Sequence, residues 1–260
     1  MRTLCKLAIA FVLLGVSCAH ADNLRDVNIY SFLTEAGKQL VPPTADHPAT
    51  YVLISAGYKE EGELVAGEKS PDPKKVATLV RKALSNAHYI GVKKDSKELD
   101  LIVVYYWGYM NPQIDESADD DETPSINFNG ASMVALVAGN SLDQMTPNTS
   151  IWQDTIAASE ESRYFVFIAA YSPAAYVNKH QKKLLWRAQM SVASNGVNLD
   201  QSINALVDSS VNYLGRATDT PQQVSMDLDR TAHVDIGTPE VEEYIPTIDM
   251  SKPKDAPKKP

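Results

Sequence analysis

The chain reads as an α/β protein, of the α+β kind, with a mixed sheet of four to five strands packed against helices and an extended C-terminal tail. Three observations lead there. Two β-branched, charge-poor runs, 51–57 and 99–107, flank a stretch whose apolar residues recur at helical spacing. Two more strand-like runs, 163–171 and 183–192, are followed by a second such stretch. From Ala217 onward prolines multiply and apolar residues thin out. Apolar residues make up 44% of the chain and charged residues 22%, the balance of a globular protein with a core.

Residues 1–21 read as a signal peptide. Arg2 and Lys6 precede an apolar run from Leu7 to Val16, and Ala19-His20-Ala21 offers a small-x-small cleavage site before Asp22. The run is shorter than the roughly 20 residues a membrane span needs. Cys18 opens an alternative, a lipoprotein anchored through that cysteine, although Gly15 stands where such sites carry leucine. Cys5 and Cys18 are the two cysteines, so cleavage before Asp22 leaves a mature chain without disulfides or thiolate ligands. The expected location is periplasmic or secreted, with membrane attachment only if Cys18 is lipidated.

Residues 22–50 read as an extended lead-in, because Pro42, Pro43 and Pro48 withhold N–H groups from any ladder or helix. The domain is expected over 51–216. Its first strand, 51–57, closes at Gly57. Asp72-Pro73 then supplies an N-cap and a first-turn proline. Val76, Leu79, Val80, Ala83, Leu84 and Ala87 form one stripe, and Gly91 is expected to terminate that helix. The uncharged run from Leu101 to Trp107 suits a central strand covered on both faces.

Within 111–128, residues 115–122 carry six acids in eight positions and read as a solvated loop. Residues 130–160 read as a helical insertion in two pieces, broken at Gly139-Asn140, with Ser150 capping the second. The strands 163–171 and 183–192 are expected to form an antiparallel hairpin joined by a turn-like connection. In the second, Leu184, Trp186, Ala188, Met190 and Val192 alternate with Leu185, Arg187, Gln189 and Ser191, the pattern of a strand with one wet face. Asn198 and Gln201 form a capping box ahead of a helix striped by Ile203, Leu206, Val207, Val211 and Leu214 and stopped by Gly215. Residues 217–260 read as a flexible, proline-rich tail.

Chemistry-bearing motifs are few. Gly62 to Ser70 follows a strand and precedes a helix, but Glu68 stands between Gly67 and Lys69, so a phosphate loop is not expected. Gly130-Ala131-Ser132 begins a nucleophile elbow and does not complete it. His47, His88, His180 and His233 share no metal-ligand spacing. The acidic run lacks the glycine and spacing of a calcium loop. No catalytic residue, cofactor or metal ligand is therefore expected. The net charge of −9 repels phosphate backbones, which argues against nucleic acid.

The most suggestive feature is Tyr105-Tyr106-Trp107-Gly108-Tyr109, at the carboxyl end of the central strand, where open sheets tend to bind ligands. Tyr106, Trp107 and Tyr109 are the candidate partner surface; capping of the core's edge is the plainer alternative. The element order, with Tyr105-Tyr106-Trp107-Gly108 after a buried strand and Leu185-Trp186-Arg187 opening a late one, resembles a group of uncharacterised bacterial envelope proteins and lipoproteins of unknown function. It is also similar in element order to the α/β amino-terminal domain of TolB, over roughly residues 51–215. The resemblance implies an accessory, non-enzymatic role at the cell envelope with an envelope protein as partner, and carries no catalytic residues. An enzyme with an unrecognised site and a purely structural periplasmic protein remain the alternatives.

Overall fold

The structure, a computed structural model, describes residues 24–62, 68–92, 99–112, 130–179 and 181–228. Among them a seven-stranded mixed sheet runs in the order β3-β2-β4-β5-β6-β1-β7. Its strands are β1 (Leu24–Leu33), β2 (Ala49–Glu61), β3 (Tyr89–Gly91), β4 (Leu101–Met110), β5 (Arg163–Tyr171), β6 (Leu184–Ala193) and β7 (Gln222–Asp227). The helices are α1 (Pro73–Asn86), α2 (Gly130–Ala138), α3 (Ser150–Ser159), α4 (Pro173–Lys179) and α5 (Leu199–Ser209).

The four expected strands lie side by side as β2-β4-β5-β6. β4 runs parallel to β2 and antiparallel to β5, with Leu53 beside Val103 and Val103 beside Ala170. Val103 is fully buried, as an interior strand requires. The hairpin of β5 and β6 is also present, in antiparallel register.

The sheet is wider than four to five strands because three strands lie where the sequence pattern is weak. β1 arises inside the stretch read as an extended lead-in and pairs with β6 along Asn28–Leu33. Its prolines come later, so nothing in Leu24–Leu33 obstructs a ladder. β7 arises inside the stretch read as tail and pairs with β1, Val27 facing Val224. Its side chains alternate between half-buried and exposed, as on an outer strand. β3 is three residues long and extends the parallel side.

Four local expectations change. β2 does not close at Gly57 but runs on to Glu61, with a bulge between Ser55 and Tyr58. α5 ends at Ser209, and Val211–Tyr213 forms a separate 3-10 turn ahead of Gly215. The connection between β5 and β6 contains the short helix α4 rather than a turn. α1 ends at Asn86 with Ala87 as its C-cap, and the left-handed residue that follows is His88, at φ 66°, while Gly91 lies in β3. The starts are as expected in kind. Asp72 Oδ1 accepts from Lys74 N at 2.9 Å, and the Asn198–Gln201 capping box closes in both directions. At α3 the cap is Thr149, with Ser150 as the first helical residue.

Helices cover both faces. α1 and α5 lie over the side formed by Tyr51, Val103, Ile168 and Trp186, in one apolar cluster with Val80, Ile203 and Leu206. α2 covers part of the other side through Met133 and Leu136, against Phe165 and Phe167. β6 therefore has no wet face over its central residues. Gln189 and Ser191 are buried, and Gln189 Nε2 donates to the carbonyls of Ala135 and Leu136 near the end of α2. The acidic run 115–122, the signal segment with Ala19, Ala21, Asp22 and Cys18, and the chain beyond Leu228 lie outside the described residues.

Candidate functional site

The aromatic run on β4 divides between the two faces of the sheet. Trp107 and Tyr109 are 1% and 2% exposed and belong to the core beneath the helices. Trp107 stacks on Tyr105 at 5.8 Å. They present no surface to a partner, because odd-numbered residues of β4 face the striped helices that the sequence itself supplies. Tyr106 points the other way and is half-buried, stacked on Phe167 at 4.8 Å with the rings nearly parallel. Arg187 lies between the rings of Phe32 and Phe167, 4.9 and 5.6 Å from their centroids. Its buried Nε–H has no hydrogen-bond partner among the described residues.

The concave site lies at the opposite end of β4. β1 and β5 finish there, and β2, β4 and β6 begin. A cleft of about 460 Å³ opens between these strand ends and the segment carrying Pro42, Pro43 and Pro48. Prolines cannot donate to a ladder, so this segment stands off the sheet instead of pairing with it. Thr44 and His47 fold it back on itself, with Thr44 N donating to the His47 carbonyl at 3.1 Å and His47 N to Thr44 Oγ1 at 3.1 Å.

Trp186, Tyr89 and Leu101 form the apolar floor of the cleft. Trp186 and Tyr89 are buried and tilted together at 5.8 Å. Tyr89 Oη donates a long 3.5 Å bond to the Leu214 carbonyl. Burial pushes the Tyr89 phenol up to about 12, against the pull of Arg216, so it stays a neutral donor at ordinary pH. Gly215 sits against this hydroxyl at φ 70°, where a side chain would collide with Tyr89.

The rim is polar. Lys38 reaches Glu35 at 2.6 Å. Asp100 Oδ2 accepts from Thr50 N at 2.7 Å and from Thr50 Oγ1 at 2.8 Å, which joins the starts of β2 and β4. His47 completes the rim. The cleft thus has the size and the mostly apolar lining of a small-molecule site.

Two further polar clusters are structural. Glu68, read as the residue that spoils a phosphate loop, accepts from Tyr164 Oη at 2.5 Å and from Leu199 N at 3.2 Å. It supplies an anion at the first turn of α5, where the backbone N–H groups favour one. Burial and the bond to Glu68 raise the Tyr164 pKa above its ordinary value. Arg163 is buried, donating from Nε to Ser191 Oγ at 3.0 Å and from Nη1 to the Ala158 carbonyl at 3.1 Å. Burial lowers its pKa to about 10, partly offset by Glu161. Among the described residues, no three His, Cys, Asp or Glu side chains gather as a metal site.

Sequence reasoning missed the cleft because its floor and walls come from segments far apart in the chain. Pro42-Pro43 and Trp186 were legible separately, but no local pattern joins them. His47 and His88 lie near the cleft, while His180 and His233 fall outside the described residues.

No family model and no curated protein matches the chain. Among solved structures, a PDZ domain protein from Parabacteroides distasonis aligns at 10% identity and a TM-score of 0.36, over 84% of this chain and 42% of that one. The chain thus spans less than half of that protein. The PelC dodecamer from Paraburkholderia phytofirmans aligns at 9% identity and a TM-score of 0.34, over 74% of this chain and 99% of that one. Likeness at this level carries no argument about fold or function.

Proposed function

We propose that this chain is an exported, non-enzymatic binding protein of the cell envelope whose cleft takes an apolar group. The observation that carries the reading is the cleft of about 460 Å³, floored by Trp186 and Tyr89 and walled by prolines. Asp100 is engaged by Thr50 and Lys38 by Glu35, so neither is aligned as nucleophile and base in the cleft. The expected leader at 1–21 and the envelope-type resemblance support the location.

The test uses N-phenyl-1-naphthylamine, an uncharged dye that brightens in apolar surroundings. The mature protein is expected to enhance its emission saturably at one site. Leu40→Trp, at a half-exposed position in the cleft wall, is expected to abolish that signal. Ile151→Ser, on α3 and away from the cleft, is expected to keep it. No saturable signal, or equal loss in both variants, overturns the reading.

A second reading rests on the opposite face of the sheet. The Phe32–Arg187–Phe167 stack lies beside half-buried Tyr106 and Val104, and Ile54 is 47% exposed. This face suits a protein partner that lays apolar side chains on Ile54 and Val104 and offers a carboxylate to the half-buried Arg187 guanidinium. A photo-crosslinker at position 54 should then capture one partner, and Arg187→Met should eliminate that product. Recovery of monomer alone counts against it.

A further inference from the structure

We infer that the ligand of the cleft is an amphipathic anion, an apolar body carrying a carboxylate or phosphate head, with Arg216 and His88 receiving the head. The inference rests on the cleft reading above and adds the ligand's charge. A second cavity of about 130 Å³ lies beyond the Pro42-Pro43 wall. The same two prolines line both cavities, so one strap separates them. On the sheet side the lining is also continuous, because Gly215 lines the first cavity while its neighbours Leu214 and Arg216 line the second. Tyr89 and His88 divide in the same way. The two spaces are neighbours on either side of a proline strap, apolar at the Trp186 end and polar at the Arg216 end.

The charges at the polar end favour an anion. Arg216 is exposed and has no ion-pair partner among the described residues. It stands within electrostatic reach of the Tyr89 hydroxyl at the floor of the apolar end. His88 belongs to the same lining. No carboxylate lines this second cavity. At the apolar end the one carboxylate in the lining, Asp100, is already held by two bonds from Thr50. A chain of net charge −9 otherwise repels anions, so a local cationic end is selective. Hydration keeps a carboxylate head at the exposed Arg216 end while the chain fills the apolar end.

Displacement of N-phenyl-1-naphthylamine from the mature protein by decanoate, decanol and decylamine tests this directly. Decanoate is expected to displace the dye at least tenfold more effectively than decanol, and decylamine least effectively. Arg216→Gln is expected to raise the decanoate requirement at least fivefold while leaving the decanol requirement unchanged. If the dye binds and the three compounds compete equally, or Arg216→Gln affects decanol and decanoate alike, the charge assignment is overturned while the cleft stands. If the dye itself does not bind, the cleft reading fails first. Hexyl phosphate beside decanoate separates a phosphate head from a carboxylate; preference for neither over the alcohol refutes both.

Discussion

Replacing Tyr89 by phenylalanine makes a prediction whose sign reverses with pH. The phenol is 3% exposed, and burial raises its pKa from 10.0 to about 12. Only the neutral phenol suits the buried site, so the folded state holds its proton after the unfolded chain has lost it. Stability from this group is complete below pH 10 and drains as pH rises from 10 to about 12. With those two values the loss is on the order of 1 kcal/mol at pH 11 and about 2 kcal/mol at pH 12. Phenylalanine has no such loss. At pH 8.5 the variant gives up only the long 3.5 Å bond to Leu214, a cost of less than about 1 kcal/mol. Urea melts of both proteins at pH 8.5, 10, 11 and 12 should therefore show the variant slightly weaker at first and stronger than wild type by pH 12. Titration at 295 nm should show one phenol fewer in the late phase. A stability difference that stays constant across this range would refute the buried, neutral phenol and with it the closed floor of the cleft.

The other predictions concern the sheet and its attachments. Val103→Asp places a carboxylate at a fully buried position of β4 and should cost several kcal/mol, abolishing a cooperative thermal melt. Gly108→Ala would drive a Cβ into the Lys59 carbonyl, where the bulged β2 crosses close to β4; urea melts should show a loss of about 2–3 kcal/mol. A chain ended after Arg216 lacks β7 and exposes the ladder of β1, so its thermal midpoint should fall well below that of a chain ended after Leu228. Mass spectrometry of exported protein should find an amino terminus near Asp22; a fatty-acylated Cys18 would favour the lipoprotein alternative.

How much was legible in the chain depended on how local each signal was. The striped helices α1 and α5 and the capping box at Asn198–Gln201 need only neighbours a few residues away. The uncharged run of β4 announced an interior strand because polar groups there would go unsatisfied. β1 and β7 were not legible because each is half polar, and each becomes a strand only when β6 or β1 offers a ladder.

The sequence by itself determined the α/β class, the four interior strands and the two helices that cover them, since burial patterns at periods 2 and 3.6 are written into residue order. Only the tertiary structure decided which aromatic residues meet solvent and where the concave site lies. Strand alternation placed Trp107 and Tyr109 under helices and Tyr106 on the opposite face. The cleft exists because Pro42-Pro43, Tyr89, Trp186 and Gly215, distant along the chain, converge at one end of the sheet. That convergence is a property of strand order, which no local pattern of residues specifies.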